Sequence, residues 1–431
     1  MSSLRALFEP HVGLFARTEV LRAAADEPEI ITRTIYPDPL REDVSPARKT
    51  VLLSGSGTAV DEEETWIPAL AEALERYCAT VFSEDQFIWS SACELGDRAI
   101  DLDSFPVCSE RELQNPSCPL RKPSKNEKIR WVQGLSLRDG SLVYLPLVSV
   151  YITHAAAKAE RFVNSISTGC AAHTSYETAL LSAILEVVER DALSVAWLQK
   201  LRLPKIDLED PVAALGELWE RYQCSSKAIR VVLFDATTDL GIPTVYGLRV
   251  SSVDKLLHTQ VACSSSLDSA VACRKVMLDL ASSTVWLRRV GTVPGNVDDF
   301  DRLYHGPSYM AREQQADAFD FLLDGPARIP LAQVAANSPA LSTDNSRLAL
   351  AKVLARLATL GHSVYAVDLS TDEALQADMR VVRAVIPSLM PFSWVQRARF
   401  LGHPRLYNAP QAMGFSVRAE PEINSWPQPF G

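Results

Sequence analysis

The sequence predicts a mixed α/β fold of packed sheets and helices, and three observations predict it. Segments that alternate polar and apolar residues are interleaved with segments whose apolar residues recur every three or four positions, the periods of strand and helix. Residues 130–152 alternate about an Asp139-Gly140 turn and read as a β-hairpin, which argues against a purely parallel sheet. Residues 165–197 pass from small polar residues and a glycine straight into a long apolar helix that should be buried on most sides.

The elements follow in chain order. Residues 1–48 are mixed, and 30–48 are rich in Pro, Asp and Arg; a strand or two and an irregular lead-in are expected there. Residues 51–53 read as a short strand and 54–58, with Gly55 and Gly57, as a turn. Residues 61–64 bring acids to a helix start, where the dipole favours them, and Pro68 marks its first turn. Residues 113–128 are polar and proline-punctuated, a long loop whose basic side chains are by default solvated. A strand at 161–166 leads into the central helix, and strands follow at 228–235, 244–250 and 256–264. A third helix at 269–289 carries Arg274, Lys275 and Asp279 on its polar side. Residues 308–323 and 348–360 read as helices, and 363–368 and 381–386 as strands. Three parts are expected: a lead-in (1–50), a catalytic domain (51–400) and a proline-containing tail (401–431).

Composition bounds the function. With 431 residues, 47% hydrophobic and 22% charged, the chain is that of a globular protein. A formal charge of −10 argues against non-specific nucleic-acid binding. No apolar run reaches membrane-spanning length and the start lacks a signal-peptide pattern, so a cytoplasmic location is expected. Cys78, Cys93, Cys108, Cys118, Cys170, Cys224, Cys263 and Cys273 include no C-x-x-C and no zinc-finger spacing, which fits a reducing compartment. Cys170 lies in the loop entering the central helix, where core packing is the expected role.

The chemistry concentrates in two E-x-x-E-R units, Glu72-Glu75-Arg76 and Glu186-Glu189-Arg190, each on an apolar helix. Carboxylates three apart share a helix face, where they repel each other and lose hydration, so a cation should compensate. Four carboxylates facing one point suit a hard ion such as Mg²⁺, which usually arrives with phosphate. No Walker A or G-x-G-x-x-G sequence is present, so arginines (Arg76, Arg190, Arg274) and metal would have to hold any phosphate. For Arg76 and Arg190 a structural ion pair is an equal alternative. His173, before the central helix, and His403 are candidates for acid–base work, with a structural role as the ordinary alternative.

These residues resemble the YcaO family. In that family a Ser-x-Gly loop, here Ser167-Thr168-Gly169, leads into a helix ending E-x-x-E-R-D, and AEALERYC resembles its first signature. The tail segments RAVIPSLMPFSW and LGHPRLYNAP, with the final NSWPQPFG, are similar to those of members that form thiazolines and oxazolines in ribosomal peptides. The resemblance implies a YcaO-type fold around an ATP site, with Glu72, Glu75, Glu186 and Glu189 holding Mg²⁺. Arg76, Ser167, Thr174, Arg190, Arg274 and Asp279 would serve the nucleotide. Asp279 and Ser282 stand where relatives carry Glu and Gln, and Ser56, Pro68, Thr174 and Thr178 also depart from the pattern. The proline-rich end would deliver the Gly431 carboxylate to the site, as a base or to orient the substrate, with His173 a further catalytic candidate. The implied activity is an ATP- and Mg²⁺-dependent cyclodehydratase of the kind found in bacteriocin biosynthesis. It would convert Cys, Ser or Thr of a precursor peptide to an azoline. Thioamide or amidine formation, and a non-catalytic scaffold, are alternatives. An E1-like or leader-binding partner, a flavin dehydrogenase where azoles result, and a homodimer are expected.

Overall fold

The computed structural model describes residues 2–11, 13–24, 26–37, 53–152, 156–325, 328–336 and 341–431. Fourteen strands among these form three sheets. Phe15–Arg22, Ile31–Pro37 and Gly55–Ala59 make an antiparallel three-stranded sheet. A six-stranded sheet runs Phe87–Ser90, Ile129–Ser136, Tyr365–Asp368, Arg380–Val385, Cys170–His173, with Leu142–Pro146 also paired to Ile129–Ser136. A five-stranded sheet runs Thr259–Ser265, Thr244–Ser251, Ile229–Asp235, Lys205–Asp207, Arg328–Pro330. Its last pair alone is parallel among the described strands.

Three helices lie against these sheets: Trp66–Cys78, Tyr176–Leu198 and Ser269–Leu287. The first is amphipathic and buries Ala69, Leu70, Ala73 and Leu74. The central helix buries nearly every position from Val188 to Leu198, the polar Glu189, Asp191 and Ser194 included. Asp191, within it, is fully buried and held bidentately by Arg405, so the end of the E-x-x-E-R-D unit anchors the C-terminal region.

The hairpin around Asp139-Gly140 is present, with Gly140 at φ +75° in its turn. Pro68 sits in the first turn of its helix. Residues 54–58 are not a turn. Gly55–Ala59 is a strand, and its glycines serve close approach: a Cβ on Gly55 would stand 2.2 Å from Ala69 O and Ala73 N, and one on Gly57 2.1 Å from Thr65 O. Two of the three residues of the expected strand at 51–53 lie outside the described residues, as do all of 38–50. The strand expected at 161–166 is absent; the chain pairs later, at Cys170–His173. The basic loop 113–128 is tied down by surface acids, Arg121 to Glu127 and Lys125 to Asp101 and Asp103. Among the described residues no helix is long and apolar enough to cross a membrane.

Candidate active site

The three helices bring five carboxylates together. Glu72 and Glu75 come from the first, Glu186 and Glu189 from the central one, and Asp279 from the third. Three are held by a backbone N–H from a different segment: Ser56 N donates to Glu72 at 2.5 Å, Gly169 N to Glu186 at 3.0 Å, and Ser265 N to Glu189 at 3.2 Å. Each segment is placed by a sheet, so all three sheets converge here. Gly169 must be glycine: its φ is +86°, and a Cβ would meet Ala384 O at 2.4 Å.

The electrostatics show the convergence. Burial, then Glu186 and Glu72, push the Glu75 carboxyl well above its ordinary range, against the pull of Arg76 and Arg383. Burial raises Glu189 to about 7, with Glu186 and Asp279 adding to it and Arg190 and Lys275 opposing. Asp279 rises to about 6 through its surroundings and Glu72, opposed by Lys275 and Arg190. The Asp279 residue itself is exposed to solvent. The side chains of Glu72 and Glu186 remain 32% and 26% exposed, so a ligand can reach them.

The cations divide by role. Arg76 donates to Glu72 at 2.6 Å and to Ser54 O at 2.6 Å. It is a local brace. Arg190 is only loosely paired, at 3.5 Å to Glu186 and 3.9 Å to Glu189, and its buried Nε has no hydrogen-bond partner. Its guanidinium carbon lies 4.5 Å from the Phe430 ring centroid and 5.1 Å from that of Phe392. Arg274 turns away and donates to Ala214 O at 2.9 Å. Lys275, its neighbour, is exposed and is the residue of this pair that acts on Glu189 and Asp279.

The tail docks. Phe430 is buried, Trp197 Nε1 reaches Trp426 O at 3.4 Å, and a Cβ on Gly306 would stand 2.1 Å from Gln428 O. Gly431 lies exposed against Pro307 and Leu303. Ser167 accepts from Cys170 N at 2.8 Å, two residues from the N–H that holds Glu186. His173 and Thr174 are set apart. They are exposed at the far end of the strand that starts beside Gly169, about 10 Å along it. There His173 Nδ1 accepts from Ser175 N at the start of the central helix. His403 is buried, which pushes it down to about 4. Cys170 is also buried, pushed up to about 12, and so unreactive at neutral pH. All eight cysteines are unpaired.

The donor set fits Mg²⁺ with phosphate. The Glu75, Glu189 and Asp279 carboxyls are raised by burial first and by neighbouring acids second, and a bound cation would relieve both. No three acidic, His or Cys side chains among those residues close around one point. Each ion would therefore take one or two carboxylates and complete its shell with phosphate oxygens and water, as Mg²⁺ prefers. Two cavities lie elsewhere among the described residues. One is under the tail beside Trp197 and Arg399; the other is between Glu27 and the end of the third helix.

The sequence profile described as YcaO cyclodehydratase, ATP- and Mg²⁺-binding, matches residues 56–390. The chain belongs to the YcaO family. It is 26% identical over 272 residues to an uncharacterized protein in the tfuA 3′ region of Rhizobium leguminosarum bv. trifolii, covering 60% of each chain. The match thus spans about three fifths of that relative's length. Among solved structures, a heterocyclase in complex with substrate and cofactor aligns with a TM-score of 0.81 at 22% identity, over 100% of this chain and 56% of that one. The E. coli microcin synthetase McbBCD complex with pro-MccB17 bound aligns with a TM-score of 0.63 at 13% identity, over 98% of both. These likenesses show that the YcaO fold is shared.

Two residues of this YcaO chain stand at the site beyond those its motifs mark. Lys275 was visible on the polar side of the third helix but stood behind Arg274. Arg383 interrupts an apolar strand; buried, it faces Glu75 and donates to Ile166 O at 2.7 Å. A charged residue inside VVRAVIP was the available signal.

Proposed function

We propose that this protein is an ATP- and Mg²⁺-dependent cyclodehydratase acting on backbone amides of a ribosomally made precursor peptide. In the reaction a Cys, Ser or Thr side chain adds to the preceding amide carbonyl. ATP, as co-substrate, supplies the phosphoryl group that turns the carbonyl oxygen into a leaving group, and Mg²⁺ offsets the charge on that group in transfer. Loss of the oxygen as phosphate and of the amide proton leaves an azoline, with ADP as the other product.

The observation that carries this reading is that Glu72, Glu75, Glu186, Glu189 and Asp279, from three helices, lie within electrostatic reach of one another, three of them aimed by backbone N–H groups. In the proposed roles Glu72, Glu75, Glu186 and Glu189 hold Mg²⁺, and Asp279 lines the same wall. Arg190 and Lys275 face the phosphates, because neither is committed to a close carboxylate. Arg76 keeps Glu72 aimed, and the Ser167–Gly169 loop keeps Glu186 aimed. The docked tail steers Arg190 through Phe430. The peptide substrate and a partner protein are supported by the two structural relatives, one with substrate bound and one a multi-protein complex with its peptide.

The test is to incubate the protein with ATP, Mg²⁺, a candidate precursor peptide and its partner, and to weigh the product. Loss of one water per modified residue with matching ADP supports azoline formation. Exchange of oxygen for sulfur would replace it with thioamidation. No nucleotide binding with peptide and partner present would leave a scaffold.

A further inference from the structure

We infer that Arg383 is a positioning residue that sets the loop at 165–169 and, through it, the carboxylate of Glu186. This rests on the proposed Mg²⁺- and ATP-binding role of that carboxylate. Strand Arg380–Val385 grips the loop at three points. Arg383 Nη1 donates to Ile166 O at 2.7 Å and to Cys170 Sγ at 3.1 Å, and Ala384 N donates to Gly169 O at 2.7 Å. Arg383 and Cys170 are also cross-strand partners. The grip spans the one glycine whose N–H reaches Glu186, at 3.0 Å. Gly169 has no freedom to drift, because Ala384 O and Val187 Cγ2 crowd the place a Cβ would take.

The guanidinium also acts on Glu75, whose raised carboxyl it pulls back down. Burying a charge is costly unless it is paired and hydrogen-bonded. Here the cost is offset by a carbonyl, a thiol and the field of the acidic cluster. The Arg383 Nε and Thr168 Oγ1 atoms remain buried without partners, so the loop keeps polar capacity unspent on the protein itself. One strand residue thus connects both E-x-x-E-R helices: Glu75 by charge, Glu186 by the loop.

A double-mutant cycle on Mg²⁺–ATP affinity, read by calorimetry on the full chain, tests this. Arg383→Met should weaken binding by about tenfold, the scale of losing a group that orients a metal ligand. In a Glu186→Gln background most of that loss should disappear, because the route through Glu186 is already cut and only the charge effect at Glu75 remains. Arg383→Lys keeps the charge but loses the fork, so it too should lose affinity, by about threefold, and only when Glu186 is present. Circular dichroism checks folding; if Arg383→Met does not fold, the Arg383→Lys cycle decides alone. Equal losses in both backgrounds, or wild-type affinity in Arg383→Lys, would overturn the positioning role. Failure of the unaltered protein to bind Mg²⁺–ATP would instead overturn the site on which it rests.

Discussion

The two E-x-x-E-R helices share a five-residue pattern but use its arginine differently. On Trp66–Cys78 the arginine closes a 2.6 Å pair with Glu72 and caps Ser54 O, so its donors face protein. On Tyr176–Leu198 it stands 3.5 Å and 3.9 Å from its glutamates, under two aromatic rings, with a donor unspent. The surroundings make the difference. The first helix is amphipathic, and its arginine can lie along the surface to reach the preceding strand. The central helix is enclosed, and its arginine packs beneath Phe392 and Phe430 instead of closing on Glu186 or Glu189, which leaves it for another anion. A motif therefore fixes which residues share a helix face, and the packing around it decides which of them remain free to react.

The largest expected effect falls on the enclosed helix. Glu186→Gln should lower turnover by about a thousandfold or more while the fold persists, since the amide keeps the hydrogen bond from Gly169 but loses the charge for metal. Wild-type turnover in a folded variant would remove Glu186 from the site.

Paired arginine variants sharpen the contrast next. Arg190→Met should cost about a hundredfold in kcat/KM for ATP with little change in Tm, as the loss of a group facing transferred phosphate does. Arg76→Met should cost less than about tenfold in kcat/KM; it should lower stability by about 1 kcal/mol, the worth of a part-exposed ion pair with an added carbonyl bond. Equal kinetic penalties would mean the two helices play the same part.

Phe430→Ala should have a smaller effect, about tenfold in kcat, because it frees Arg190 from a cation–π contact worth about 0.5–2 kcal/mol. Phe430→Tyr, which keeps the ring, should restore most of the rate.

The smallest effect is on stability against pH. Glu189, with its folded value raised to about 7, binds its proton more tightly folded than unfolded. Between the ordinary glutamate range and pH 7 the folded state holds more protons, so stability contributed here falls as pH rises through that window. Glu189→Gln should flatten this slope and gain a few degrees in Tm at pH 8 relative to pH 5, with no nucleotide present. An unchanged slope would show that Glu189 is not held in an acid-rich, dehydrated place.

Much of this could be read from the chain. Glu72, Glu75, Glu186 and Glu189 stood out because paired acids on apolar helices demand a counter-charge. The hairpin was legible in Asp139-Gly140, and the helix start in Pro68. What escaped depended on distant contacts. Gly55 and Gly57 looked like a turn because local sequence cannot show that helix Trp66–Cys78 would press against them. Arg274 and Lys275 differ by one position, and the helix phase that turns one to Ala214 and the other to the recess is set by packing on the five-stranded sheet. Arg383 acts across 213 residues of separation, beyond any window of sequence. His173 was drawn in by proximity along the chain; the extended strand Cys170–His173 carries it away from Glu186.

The central claim is that carboxylates of two distant helices share metal and nucleotide. Anomalous diffraction from a crystal grown with Mn²⁺ and a non-hydrolysable ATP analogue tests it most directly. The account predicts metal peaks within coordination distance of at least one carboxylate from each of the pairs Glu72/Glu75 and Glu186/Glu189, with phosphate oxygens completing the shell. Metal bound to one helix alone, or nucleotide seated away from the acidic recess, would contradict it.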